Sequence, residues 1–122
     1  MTRNPSQDQE RLRSLLTRWW EESPLDRQWI KTRPVHLYVR KVPLRIGANT
    51  FRGFTIGQID VRGDQQNKGH FKSVISWAKS RPDIEIIKVE SVISPAMLAI
   101  MQKWEWWSDQ NVPQSFYWEN KK

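Results

Sequence analysis

The residues from Asp60 to Phe71 read Asp-Val-Arg-Gly-Asp-Gln-Gln-Asn-Lys-Gly-His-Phe. An apolar strand enters this polar, glycine-containing loop, and the spacing after it predicts an amphipathic helix over Phe71 to Ser80. A second apolar strand is expected from Ile84. The first N–H groups of a helix have no intrahelical partner, and the helix dipole favours negative charge there. The N–H groups of Gln66, Asn67, Lys68, Gly69, His70 and Phe71 are thus candidates to hold a phosphate or pyrophosphate. Lys68, His70 and Lys72 would add charge. The competing reading is an ordinary polar turn with a solvated Lys68.

Other chemistries find less support. The chain has no cysteine, which excludes disulfides and thiolate metal sites and is compatible with a reducing, cytoplasmic setting. His36 and His70 are its two histidines, too few for a histidine-built metal site. No apolar run approaches bilayer length, and the opening Met-Thr-Arg-Asn-Pro-Ser does not read as a signal peptide. The net charge is +7, with ten Lys/Arg against five Asp/Glu up to Arg45 and ten against eight beyond it. Such a balance favours anionic partners without specifying one. There are eight tryptophans. Adjacent pairs (Trp19–Trp20, Trp106–Trp107) must point in different directions, so one of each pair is expected to meet the surface, a partner or a ligand.

The length of 122 residues fits one domain. Leu12, Leu15, Leu16, Trp19 and Trp20 recur at helical spacing, with Ser6 as a candidate cap and Ser23-Pro24 as the stop. A further short helix is expected over Leu25 to Lys31, making residues 1–34 a basic helical segment ahead of a core at 35–118. Val35, Leu37 and Val39 alternate with His36, Tyr38 and Arg40, giving a strand limited by Pro43. Gly47 to Thr50 reads as a turn, so the next strand should pair antiparallel. In that strand Phe54 and Ile56 lie on one parity, Ile59 and Val61 on the other. Either a β-bulge near Gly57-Gln58 returns all four to one face, or the strand is buried on both faces. Ile84 to Val89 reads as a central strand parallel to it. A helix then starts at Ser94-Pro95 with Met97, Ile100, Met101 and Trp104 as its apolar stripe. Asp109 to Pro113 reads as a loop and Ser115 to Trp118 as a last strand.

These elements and motifs resemble the GCN5-related N-acetyltransferase (GNAT) family over Val35 to Trp118. In that family the strand before the cofactor loop ends in valine. Arg or Gln follows, then two residues, Gly, one residue, and Gly or Ala. Here Val61 ends the strand, Gln66 and Gly69 match, and Phe71 stands at the small position. Downstream, Val89-Glu90 matches the end of the next strand, Ser94 falls at the family's asparagine, Met101 at its tyrosine, and Glu105-Trp106 at its Gly-Phe. The resemblance implies a fold of the α/β (α+β) kind, a central mixed β-sheet flanked by helices. It also implies acetyl-CoA as cofactor and transfer of an acetyl group to an amine. Ile59, Val61, Ser94 and the loop residues Gln66 to Lys72 would then contact coenzyme A, with the bulged strand offering backbone groups to the pantetheine arm.

Acetyl transfer needs the thioester held beside the amine, a base or ordered water, and a proton for the leaving thiolate. Met101 cannot donate a proton and reads as core. Tyr117 or Tyr38 could supply one. Asp60 or Glu90 could order the water, and His36 could line an acceptor groove. Each of these residues also has a plain structural reading as a packing or surface residue. The alternative function is a catalytically inactive GNAT-like module that binds a protein or nucleic acid. Arg11, Arg13, Arg18 and Arg27 beside Trp19, Trp20 and Trp29 would supply charge and stacking surface. Trp106 or Trp107 and a C-terminal edge strand make a homodimer a further expectation.

Overall fold

A computed structural model describes residues 5–66, 68–92, 94–109, 112 and 114–120, with Pro5 described in its backbone alone. The element order is α1 (Pro5–Glu22), β1 (Arg27–Lys31), β2 (Val35–Arg40), β3 (Pro43–Ile46), β4 (Asn49–Val61), α2 (His70–Ser80), β5 (Ile86–Val89), α3 (Pro95–Lys103), β6 (Trp107–Ser108) and β7 (Phe116–Glu119). A 3-10 turn at Gly63–Gln65 lies between β4 and α2. The seven strands form one sheet in the order β1-β2-β4-β5-β7-β6, with β3 continuing along the β2 edge of β4. β4 and β5 are parallel; the other pairs are antiparallel.

The segment expected as a second helix is strand β1. Its side chains alternate, with Ile30 buried between exposed Trp29 and Lys31, and it forms a hairpin with β2. The Thr32 N–H and hydroxyl both bond the Val35 carbonyl and close the turn. Paired with β2 along its whole length and burying Ile30, the segment gains more than one and a half isolated helical turns would give it. Ser6, expected as the cap of α1, lies inside its first turn. The C-terminal strand is not an edge: β7 sits between β5 and β6.

The bulge is where parity places it. Tyr38 pairs with Gln58 and Val39 with Ile56, leaving Gly57 as the extra residue. Phe54, Ile56, Ile59 and Val61 therefore share a face with Val35, Leu37 and Val39. Glycine suits the site, since a Cβ there would lie 2.7 Å from Cδ2 of the Tyr38 ring.

All three helices serve that one face. Leu12, Leu16 and Trp19 of α1, Val74, Ile75 and Trp77 of α2, and Met101 of α3 join a single apolar cluster with the strands. Phe54 is its aromatic hub, with ring centroids 5.2 Å from Trp77, 6.2 Å from Trp19 and 6.3 Å from Trp20. Lys79 Nζ lies 4.8 Å from the Trp118 ring, 5.6 Å from Trp104 and 5.9 Å from Trp106, tying α2 to α3 and β7. The opposite face of the sheet carries Trp29, Tyr38, Arg40, Lys88, Tyr117 and Trp107.

α1 is anchored at both ends. Lys41 Nζ, from the β2–β3 link, donates to the carbonyls of Trp19 (2.6 Å), Ser23 (2.7 Å) and Trp20 (3.2 Å) and so caps the C-terminus. Burial lowers its pKa from the ordinary lysine value. Near the other end Gln9 Nε2 donates to the Lys68 carbonyl at 2.8 Å, and Arg13 donates to the Ser73 hydroxyl.

Candidate functional site

The parallel ladder between β4 and β5 is short. It runs from Gly53–Ile86 to Ile56–Val89, and the Glu90 N–H makes a last bond to the Ile56 carbonyl at 2.9 Å. Ser91 then takes a left-handed φ of 58°, and the Val92 N–H bonds the Gln114 carbonyl. The chain after β5 thus turns away toward β7, while β4 runs on from Gly57 to Val61 along β2. The two central strands part at the bulge.

A cleft of about 560 Å³ opens on the helix side of this parting. Ile59 and Val61 of β4 line one flank. Gln65, Gln66, Gly69, His70, Phe71 and Lys72 line its middle, and Ala96, Met97, Ile100 and Lys103 of α3, with Ser94 and Trp104 at its two ends, line the other side. Gly69 caps α2 with φ 86°, a conformation that favours glycine. Among the described residues the Ser73 N–H is the first to close a helical bond, to the Gly69 carbonyl at 2.9 Å. The amides of His70, Phe71 and Lys72 therefore begin the helix without an intrahelical acceptor.

Sequence reasoning and the cleft coincide at Ile59, Val61, Gln66, Gly69, His70, Phe71, Lys72 and Ser94, which all line it. Lys68 does not line it; its carbonyl is taken by Gln9. Asn67 lies outside the described residues. Ser94 precedes Pro95 in extended conformation, and its hydroxyl makes no capping bond. Gln65, Ala96, Met97, Ile100, Lys103 and Trp104 join the site only in the structure. Met97, Ile100 and Trp104 share an apolar stripe with Met101, and sequence alone does not show that this stripe divides. Met101 is fully buried in the core, while the others reach the cleft.

The three acid–base candidates are not in the cleft. Asp60 lies opposite His36 in the ladder, on the helix-free face, with Gln58 Nε2 donating to it at 2.9 Å. Glu90 pairs with Arg40 and, at 3.2 Å, with Lys88. Burial would raise the Glu90 pKa, but these two cations win and hold its carboxyl below the ordinary value. Tyr117 donates its hydroxyl to Asp109 at 2.8 Å. Burial and that bond raise its pKa, so it keeps its proton at neutral pH. Glu90 and Tyr117 project from the same face as Asp60, with Tyr117 opposite Lys88 in the ladder.

His70 is almost fully buried at the start of α2. Its Nε2 is 3.3 Å from Gln65 Oε1, and Nδ1 has no hydrogen-bond partner among the described residues. Burial pushes its pKa below the ordinary value, against the pull of the Asp8 carboxylate. The unfolded chain then binds the proton more readily than the folded one. Stability is accordingly full above the unfolded pKa of about 6.5 and falls as pH drops from there toward the lower folded value. Urea midpoints between about pH 5 and 7.5 should show this slope, and His70→Gln should flatten it.

No family model matches the chain, and no curated protein matches it. Solved structures do. A tyrosine-to-phenylalanine mutant of the AtaT toxin, bound to the C-terminus of the antitoxin AtaR and acetyl-CoA, aligns with a TM-score of 0.55 at 9% identity, covering 71% of this chain and 59% of that one. The same mutant with the antitoxin alone gives the same values. The KacTA–DNA complex aligns at 0.54 and 11% identity, over 88% of this chain and 79% of that one. The chain thus spans about three fifths of the length of AtaT. What it shares with both toxin structures is the architecture, a GNAT-like mixed sheet flanked by helices.

Proposed function

We propose that this protein is an acyl-coenzyme A-dependent N-acyltransferase that moves an acetyl group from acetyl-CoA to an amine. The observation that carries this reading is the parting of β4 and β5 beside the amide-lined start of α2. The groups present fit the coenzyme. Amides of His70, Phe71 and Lys72 suit its pyrophosphate, and the buried, unspent His70 Nδ1 adds a polar atom at the same helix start. Between Gly57 and Val61 the β5-facing edge of β4 has backbone groups to offer the amide-bearing arm.

Bound acetyl-CoA would supply the activated thioester. The chain would divide the remaining work between the two faces of its sheet, with the helix side holding the coenzyme and the bare side receiving the amine. Asp60 and Glu90 are assigned to order the water that takes the amine proton. Glu90, ionised and held by two cations, orients rather than abstracts. Tyr117 is assigned as the protonated group on that side. Met101, closed into the core, takes no part.

A ligand that binds only the folded state at a hundredfold its Kd adds about 2.7 kcal/mol. For a chain of this size that is a rise in Tm of roughly 8–12 °C. Acetyl-CoA should produce it, and no shift at millimolar ligand would overturn the reading. A second reading, a binding module for protein or nucleic acid, is supported by Met101 at the family's tyrosine position and by the groove between α1 and β1 that Arg11, Arg18, Trp29 and Lys31 line. It predicts oligonucleotide binding that weakens steeply with salt, without any acetyl-CoA shift.

A further inference from the structure

The amide-lined start of α2 divides the cleft into two chemically different ends. The β4 end is apolar, with Ile59 and Val61. The other end is aromatic and cationic. Phe71, at the position where the family resemblance calls for a small residue, lies parallel to Trp104, with ring centroids 6.0 Å apart and an interplanar angle of 6°. Trp104 is itself supported by Trp106 at 6.3 Å and by Lys79 Nζ at 5.6 Å. Lys72 and Lys103 are exposed on this rim and make no ion pair among the described residues. By contrast Arg40, Arg81 and Lys88 are all paired.

We infer that Phe71, Trp104, Lys72 and Lys103 form a subsite for a purine nucleotide bearing a phosphate on its ribose, the 3′-phosphoadenosine end of coenzyme A. This inference rests on the acyl-coenzyme A reading and adds to it. Coenzyme A is linear, running from thiol through pantetheine and pyrophosphate to the nucleoside. With the pyrophosphate at the α2 amides and the arm along β4, the nucleoside must fall on the opposite flank. That flank presents a braced aromatic platform, and stacking on a platform that needs no ordering retains its full energy. The two free ammonium groups meet the ribose phosphate, whose charge a dephosphorylated coenzyme lacks. Phe71 is thus a substitution with a use rather than a lost motif residue.

Calorimetric titration with three ligands tests this: acetyl-CoA, its 3′-dephospho form, and S-acetyl-4′-phosphopantetheine. The wild type should lose roughly tenfold or more in affinity when the adenosine is absent. In Trp104→Leu acetyl-CoA should bind about as weakly as the phosphopantetheine, and Trp104→Phe should restore most of the difference. Lys72→Gln combined with Lys103→Gln should bring acetyl-CoA down to the affinity of the dephospho form. Equal wild-type affinity for acetyl-CoA and acetyl-phosphopantetheine overturns the subsite and leaves the acyl-coenzyme A reading standing. Binding of none of the three overturns both.

Discussion

Phe54→Ala is expected to lower the unfolding free energy by about 3–5 kcal/mol, the range for emptying a buried aromatic site. Phe54 is fully buried on β4, and its ring meets three tryptophans from two helices. Removing it opens a cavity that Trp19, Trp20 and Trp77 cannot close by shifting, because each indole N–H is already committed. Trp19 donates to the Leu25 carbonyl (3.1 Å), Trp20 to Asp83 (2.6 Å) and Trp77 to the Thr17 hydroxyl (2.9 Å). Urea unfolding followed by tryptophan fluorescence reads the loss, and near-UV dichroism should weaken as the rings lose their fixed angles. A loss below about 1.5 kcal/mol, the range of a conservative swap, would show that the cluster is not the stabilising centre.

Lys41→Met is expected to cost about 2–3 kcal/mol, although it keeps the length and much of the apolar stem. The ammonium serves three carbonyls at the C-terminal end of α1, those of Trp19, Trp20 and Ser23, and hydrogen bonds from a charged donor each contribute more than neutral ones. The charge also sits at the negative end of the helix dipole. Hydrogen exchange should localise the effect, with the Ser23 amide, bonded to the Trp19 carbonyl at 3.2 Å, losing protection first. Equal protection in wild type and variant would show that solvent replaces the cap without cost.

The bulge, the loop, α2 and β5 were legible because their signals are local. A parity break between Ile56 and Ile59 has few explanations, and the register shift at Gly57 is one of the two that were open. β1 was not legible, because Arg27 to Lys31 alternates over too few residues to outvote a helical reading. Its pairing with β2 supplies what the sequence window lacks. The Phe71–Trp104 stack joins the first turn of α2 to the residue that ends α3, and no spacing rule connects them. Nor does sequence decide which face of a sheet the helices cover. Asp60, Glu90 and Tyr117 therefore could not be separated from the cleft residues until the topology set them on its far side.

The two tethers of α1 make it a gauge. The ten steps from Gln9 to Trp19 fix a length of about 15 Å, at roughly 1.5 Å per residue, between the Lys68 carbonyl and the Lys41 clamp. Each residue also advances the helix by about 100°, so length and phase are set together. One alanine inserted at the exposed Ser14 would keep every contact on one side of the insertion and swing those on the other out of reach. Either Gln9 lets go of the turn before Gly69 or Trp19 leaves Phe54. The geometry of the loop before α2 is thus counted out, residue by residue, in a segment some sixty positions upstream.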